Sequence, residues 1–319
     1  LAGQVRWGYL KGLIMSTYTT SAQITPVKAW FFATRPKSLP ATIAPVMVGS
    51  AMAFNVNMFQ FLPALLCLLF AIFMQIGSNF ANDYYDHKRG IDTKDRVGFK
   101  RAVASGWISA ESMKWGMIFV FMLGMFFGLW LMYFGGAWLL LVGLLSLVCA
   151  VAYSAGPYPL SCIGLGDLFV LIFFGLIAVG FTFYVQAGYF APEVFLVGAG
   201  VGLLSVNTLN VNNIRDMETD QKAGKNTIIV RFGRGFGFIL YVGNYLLALG
   251  VPICLYAFGY GMAPFLCWLT LPFAFALITQ LATCSSGGLY NKIFTRTAQL
   301  MLAYSFLLSI GIVISNSGQ

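Results

Sequence analysis

The chain has 319 residues, of which 59% are hydrophobic, 16% aromatic and only 9% charged, with a mean hydropathy of +0.80. Soluble domains carry about a quarter charged residues, so this composition excludes a soluble globular protein and identifies an integral membrane protein. The formal net charge of +9 is read as topology and not as a nucleic-acid surface, because in a membrane protein the placement of Lys and Arg says more than their sum.

Residues 1–29 read as an N-terminal extension and residues 30–319 as one domain. The first 14 residues, LAGQVRWGYLKGLI, precede Met15 and are expected to stand outside the functional part, and no cleavable signal segment is recognised. A span needs about 20 mostly apolar residues. Nine stretches meet that, near residues 38–56, 60–84, 112–134, 137–155, 166–187, 194–213, 236–258, 262–282 and 295–315. The predicted fold is an all-α integral membrane bundle of nine transmembrane helices.

All 19 Lys and Arg fall on one side of this map. Five precede span 1 (Arg6, Lys11, Lys28, Arg35, Lys37), and six lie between spans 2 and 3 (Lys88, Arg89, Lys94, Arg96, Lys100, Arg101), with Lys114 entering span 3. Five more separate spans 6 and 7 (Arg215, Lys222, Lys225, Arg231, Arg234), and Lys292 and Arg296 stand between spans 8 and 9. Opposite loops such as FNVNMFQ and YFGGAW have none, and Glu193 is the only charge on that side. Short cytoplasmic loops are enriched in Lys and Arg, so the N-terminus is expected in the cytoplasm and the C-terminus outside. Two cytoplasmic connections are long and charged, 87–111 and 214–235, and they are expected to cap a cavity that faces the cytoplasm. The second begins as a helix continuation that Gly224 should end.

The stretch NDYYDHKRGID begins at Asn82, and NNIRDMETD at Asn212. On a helix, Gln75, Asn79, Asn82 and Asp86 share one face, as do Asn212, Asp216 and Asp220. Aligning Asn82 with Asn212 superposes Asp86 on Asp216, so N-x-x-x-D occurs twice, 130 residues apart. That repetition suggests two related halves whose motifs face each other across a cavity. A single Asp at a span end is ordinarily a solvated loop residue. Two matched clusters, with Gln75, Asn79, Asn207 and Asn210 carrying polarity further into the spans, make that account the weaker one, since polar groups within a span need a cavity or a partner. Six scattered cysteines without a CxxC pair, and His87 as the single histidine, speak against zinc, disulfide and haem chemistry. Acidic clusters flanked by cations suit Mg²⁺ shared with a diphosphate, the carboxylates holding the metal and Arg or Lys the remaining oxygens. The substrate implied is a diphosphate with a lipid tail.

With these motifs the chain resembles the UbiA superfamily of intramembrane prenyltransferases, whose signatures are N-D-x-x-D-x-x-x-D and D-x-x-x-D. Asn82, Asp83 and Asp86 match the first, and Asp216 and Asp220 the second. The likeness runs from about Trp30 onward, including RPKSLPATIAPVMVG from Arg35 and RAVASG from Arg101. It implies a nine-helix bundle in the bacterial inner membrane that transfers a prenyl group from a polyprenyl diphosphate with Mg²⁺. It also implies metal ligation by Asn82, Asp83, Asp86, Asp216 and Asp220. The last Asp of the first signature is replaced by Gly90, followed by Asp92. Together with NNIRD, GKNT from Gly224 and GLGD ending at Asp167, this is similar to the branch that prenylates 1,4-dihydroxy-2-naphthoate. The branch acting on 4-hydroxybenzoate commonly has Tyr-Pro-x-x-Lys-Arg after span 4, whereas no Lys or Arg occurs here between Lys114 and Arg215.

By the same resemblance Asp86 and Asp216 are catalytic candidates. Arg35, Lys37, Arg101 and Lys225 are candidates for the diphosphate, although Arg35 and Lys37 serve equally well as headgroup anchors. Asp167 is a candidate for orienting or deprotonating the acceptor, against a structural role at a helix N-terminus. Tyr84, Tyr85 and Tyr153 are candidates to line the pocket and steady an allylic cation, an attraction worth about 0.5–2 kcal/mol. A transporter of anionic metabolites is the alternative of another class, disfavoured because the acidic clusters lie at span ends and not at the midplane.

Overall fold

The structure is a computed structural model and describes residues 24–91, 98–284 and 286–316. Arg6, Lys11, Asp92, Lys94 and Arg96 therefore lie outside the described residues, and with them the question of what Asp92 does. A short helix α1 (Pro26–Ala33) leads through a turn at Arg35 and a 3-10 turn (Pro36–Ser38) into α2 (Pro40–Asn55). There follow α3 (Phe61–Lys88), α4 (Ala110–Gly135), α5 (Leu139–Ala152), α6 (Gly166–Ala187), α7 (Pro192–Lys222), α8 (Ile228–Ala257), α9 (Ala263–Ala282) and α10 (Gly287–Asn316). No strand occurs among the described residues. Seven of the helices, α3, α4 and α6 to α10, are long and apolar enough to cross a bilayer, whereas α2 and α5 have only 16 and 14 residues. The chain is a multi-pass membrane protein.

Burial identifies the centre of the bundle. In α7 67% of the apolar window is enclosed by protein, against 22% in α4, whose Phe119, Met122, Phe126 and Trp130 are exposed as lipid-facing residues should be. The enclosed helix needs small residues, since lipid gives helices no hydrophobic reason to associate and close backbone contact must do so instead. Gly198 and Gly202 of α7 meet Gly175 of α6 so closely that a Cβ on Gly175 would lie 2.6 Å from the Gly198 carbonyl oxygen. Around this contact α6 opens into a π-helical stretch, Leu171–Ile177. The wider turn sets Gly175 against α7 and turns Phe173, Phe174 and Ile177 to the cavity described below.

The two motif-bearing helices outrun the predicted spans, α3 ending at Lys88 rather than near 84 and α7 at Lys222 rather than near 213. Hydropathy marks where the bilayer ends, but backbone caps decide where a helix ends. Gly90 is such a cap: its φ of 69° is left-handed, and it lets Ile91 N–H reach the Asp86 carbonyl at 3.0 Å. An Asp at this position would carry a Cβ into a conformation glycine tolerates best. The departure from the family signature thus has a local backbone reason. Gly224, also left-handed at φ 74°, follows the end of α7 as predicted.

One end of the bundle gathers the basic connections. The Lys37 ammonium stands 4.4 Å from the centre of the Phe99 ring, Lys225 reaches Asp86, and Arg231 Nη2 donates to Ile163 O at 2.8 Å. At the other end neutral groups tie the helices, with Gln60 Nε2 donating to Gln186 O at 2.9 Å and Asn55 Nδ2 to Ile312 O at 2.9 Å. This separation of a basic end from one without Lys or Arg among the described residues agrees with the one-sided map of Lys and Arg.

Candidate functional site

A cavity of about 760 Å³ runs into the bundle from the basic end. Its deeper wall is apolar, with Phe70 and Met74 from α3 and Phe169, Phe173, Phe174, Ile177 and Phe181 from α6. Its mouth is polar, formed by Arg35, Lys37, Gln75, Asn79, Asn82, Arg101, Asn212 and Arg215. Such a shape suits a molecule with one long apolar part and one anionic end.

The polar stripe of α3 builds one side of the mouth by holding the turn before α2. Asn79 Nδ2 donates to Thr34 O at 2.9 Å and to Ser38 Oγ at 3.3 Å, and Gln75 Nε2 donates to Ser38 Oγ at 3.3 Å. Ser38 Oγ in turn donates to Arg35 O at 2.9 Å. Within this turn Arg35 is left-handed, φ 52° and ψ 65°, directly before a proline. A non-glycine residue there costs of order 1–3 kcal/mol and persists only when its surroundings over-determine it. Here the network supplies that constraint and keeps Arg35 and Lys37 at the mouth.

The carboxylates of the first motif divide their work. Asp83 is buried and its Oδ2 accepts from Ala102 N–H at 2.9 Å, fastening the loop that carries Arg101. Asp86, also buried, faces three cations: Arg89 Nη2 at 2.9 Å, Arg101 Nη2 at 3.5 Å and Lys225 Nζ at 3.6 Å. Lys225 also stands 3.7 Å from Asp220 Oδ1. One ammonium therefore joins the two motifs, and Arg101 and Lys225 bring the two long connections together on Asp86; Arg101 lines the cavity, whereas Asp86, Asp216, Asp220 and Lys225 stand behind its lining residues. In the second motif both carboxylate oxygens of Asp216 are gripped by one edge, Nε and Nη2, of the Arg215 guanidinium.

Among the described residues no three His, Cys, Asp or Glu side chains stand together as a self-sufficient metal site. What the site offers is oxygen from two carboxylate clusters and from amides. Asn82 Oδ1 is buried with no hydrogen-bond partner, and Asp86 Oδ2 has ion pairs but no hydrogen bond. Hard oxygen donors of this kind fit Mg²⁺, which takes one or two carboxylates and completes its octahedron with phosphate and water. The residues present fit the ion.

Several sequence candidates sit elsewhere. Tyr84 and Tyr85 pack edge to face, ring centres 4.9 Å apart, against a buried cluster that includes Phe80 and Val103, and neither lines the cavity. Tyr153 does line it. Asp167 is buried at the first turn of α6 with Oδ1 lacking a hydrogen-bond partner, close to Tyr153, whose hydroxyl lies 3.4 Å from the Cβ position of neighbouring Gly166.

Asn207 and Asn210 do not continue the polar stripe into the cavity. Asn207 Nδ2 donates to Tyr241 O at 2.9 Å and its Oδ1 accepts from Asn244 Nδ2 at 2.9 Å, while Asn210 Nδ2 donates to Gly237 O at 2.7 Å. Their partner is helix α8, because a polar group inside a span is equally well satisfied by a neighbouring helix as by a cavity. Asn207→Leu is accordingly expected to destabilise the fold by about 1 kcal/mol, seen as a lower thermal unfolding midpoint in detergent, with the cavity mouth unchanged.

Two residues went unrecognised in the sequence. Arg89 donates to Asp86 and, at 2.6 Å, to Ser154 O; its place three residues after Asp86 is a signal that helical spacing could have given. Arg215 likewise stands three residues after Asn212, whose Oδ1 accepts from it at 2.7 Å, but its grip on the adjacent Asp216 had no such signal, since neighbours on a helix point about 100° apart.

The model of the UbiA prenyltransferase family matches residues 42–288. The chain is similar to 1,4-dihydroxy-2-naphthoate octaprenyltransferase of Haemophilus influenzae, 37% identical over 302 residues, covering 90% of this chain and 96% of the relative. It is similar also to the Escherichia coli protein of the same description, 38% identical over 220 residues, covering 67% and 71%. Among solved structures, that of a UbiA homolog from Archaeoglobus fulgidus bound to DMAPP and Mg²⁺ has a TM-score of 0.59 at 19% identity, covering 88% of this chain and 99% of that one.

Proposed function

Since the chain belongs to the UbiA prenyltransferase family, we propose that it transfers a polyprenyl group from a polyprenyl diphosphate to 1,4-dihydroxy-2-naphthoate, with Mg²⁺ and loss of CO₂. The observation that carries this reading is the meeting of two acidic motifs and two basic loops beside the polar mouth of a long apolar cavity, which Asn82, Arg101 and Asn212 line. The acceptor is supported by the name shared by relatives at 37–38% identity. The fold in this reading is a nine-span bundle, α2 to α10, forming one domain over residues 30–319. It sits in the bacterial inner membrane with the N-terminus and the cavity mouth cytoplasmic and the C-terminus outside.

Asn82, Asp86, Asp216 and Asp220 would hold Mg²⁺, with Asp83 serving the loop beside them. When bound, the ion supplies Lewis-acid stabilisation of charge on the diphosphate oxygens. Arg35, Lys37, Arg101 and Lys225 bind the remaining oxygens, and their positive charge favours the leaving group as the allylic carbon–oxygen bond lengthens. The electron pair of that bond leaves with the diphosphate. Phe169, Phe173 and Phe174 offer the electron-deficient allyl group aromatic faces and no nucleophile. The loops of Arg101 and Lys225 keep water from the same carbon. Tyr153 lines the acceptor side, and Asp167 behind it orients the naphthol hydroxyl. The ring carbon bearing the carboxylate attacks, and departure of CO₂ returns the carbon–carbon pair to the ring and restores aromaticity.

Purified protein given a polyprenyl diphosphate and dihydroxynaphthoate is expected to release one diphosphate per prenylated product. Mass spectrometry should find the product lighter by CO₂ than the simple adduct, and EDTA should stop its formation. Passage of either substrate across proteoliposomes without diphosphate release would instead favour a transporter.

A further inference from the structure

Arg215 is 1% exposed at its side chain, yet it belongs to the cavity mouth. Nε donates to Asp216 Oδ1 at 2.8 Å and Nη2 to Asp216 Oδ2 at 2.7 Å, so one guanidinium holds both oxygens of one carboxylate. Nη2 also donates to Asn212 Oδ1 at 2.7 Å, and Nη1 donates to Asn291 Oδ1 of α10 at 2.7 Å. The ring of Phe99 stands 5.7 Å from the guanidinium carbon. A side chain that curls back onto the next residue of its own helix needs such support, because the two positions diverge by about 100°. The arrangement is built, and it uses the oxygens of the second motif.

We infer that Arg215 is a built-in counter-ion of Asp216, and that a divalent ion gains this carboxylate only when an anionic diphosphate takes the guanidinium in exchange. The inference rests on the reading of the mouth as a metal–diphosphate site. Its chemistry is simple. A guanidinium fork matches two carboxylate oxygens and two phosphate oxygens equally well, so it can pass from one to the other. A divalent ion and Arg215 compete for the same carboxylate, whereas a divalent ion and a diphosphate do not compete. Each therefore removes the obstacle to the other, and by linkage the coupling is reciprocal. Asn212 shares the Nη2 donor and is released in the same exchange, so Arg215 is a positioning residue for Asp216 and for the amide one turn before it.

The test measures Mn²⁺ binding from the EPR signal of the free ion, on the whole chain in detergent with no diphosphate added. Arg215→Gln is expected to bind Mn²⁺ about tenfold more tightly than the parent, since a competing charge has left a poorly solvated carboxylate. Gly98→Ala should move in the same direction without removing any charge, because its Cβ would lie 2.6 Å from Arg215 Nη2 and displace the end of that flexible side chain. Arg215→Lys, which keeps a cation but not the fork, should fall between. Adding Asp216→Asn to Arg215→Gln should cancel the gain. The inference is overturned if Arg215→Gln binds Mn²⁺ no more tightly than the parent, or if its gain survives Asp216→Asn. Failure of the functional reading looks different, as absence of prenylated product from the parent protein.

Discussion

Asp86→Asn is expected to lower kcat by at least about 10³, with the protein still inserted in the membrane and purifying as before. The change is nearly isosteric, so the result isolates charge. In the parent, one buried carboxylate stands among Arg89, Arg101 and Lys225. Without it three cations face one another at low dielectric, and breaking a buried pair from one side costs about 3–5 kcal/mol. The loops of Arg101 and Lys225 should separate, exposing the mouth as well as removing a metal ligand. Steady-state kinetics across a range of Mg²⁺ would distinguish the two consequences: a ligand loss alone is partly recovered at high metal, whereas loop separation is not. Asp216→Ala should be as inactive. Full turnover in either variant would mean that the metal site has been misplaced.

Gly175→Val should produce the largest structural effect, about 3 kcal/mol or more. Its Cβ would meet the Gly198 carbonyl oxygen at 2.6 Å and Gly202 Cα at 2.9 Å, all of it backbone that cannot rotate away. Helices α6 and α7 would have to part, carrying Phe169 and Phe173 away from the position where they line the cavity. Thermal unfolding should fall by several degrees and turnover with it. Gly143→Ala is the control, since its Cβ would find only Met125 Cε at 3.5 Å, an ordinary contact. If Gly175→Val proves as stable as Gly143→Ala, close backbone packing does not hold these helices together.

The difference between those two glycines illustrates what the sequence can and cannot convey. Hydropathy located the long helices well, and span 5 at 166–187 coincides with α6. It could not distinguish Gly175, pressed on the backbone of α7, from Gly143, which faces only the flexible end of Met125, because composition alone does not say which helices meet. The acidic motifs were legible from helical spacing, as were Arg101 and Lys225 from their motif-like settings. Asn207 and Asn210 were misjudged because depth alone was read: helical spacing turns them away from Asn212, Asp216 and Asp220, and the structure shows α8 lying against them. Arg215 was hidden because its long side chain ignores the direction of its own Cβ. Gly90 looked like a clue to the acceptor, and the fold adds a second reason for it in the cap of α3.

The π-helical stretch at Leu171–Ile177 gives α6 two independent phases. Before it, Asp167 keeps step with the mouth; after it, Gln186 keeps step with Gln60, whose backbone N–H it accepts at 3.2 Å. Closing the stretch to α pitch at unchanged chain length would rotate the second half relative to the first by about 100°. Gln186 would then point away from Gln60 although neither residue had changed. The segment works as a phase adjuster, and the length of chain within it, more than the identity of its side chains, keeps the two ends of the bundle in register.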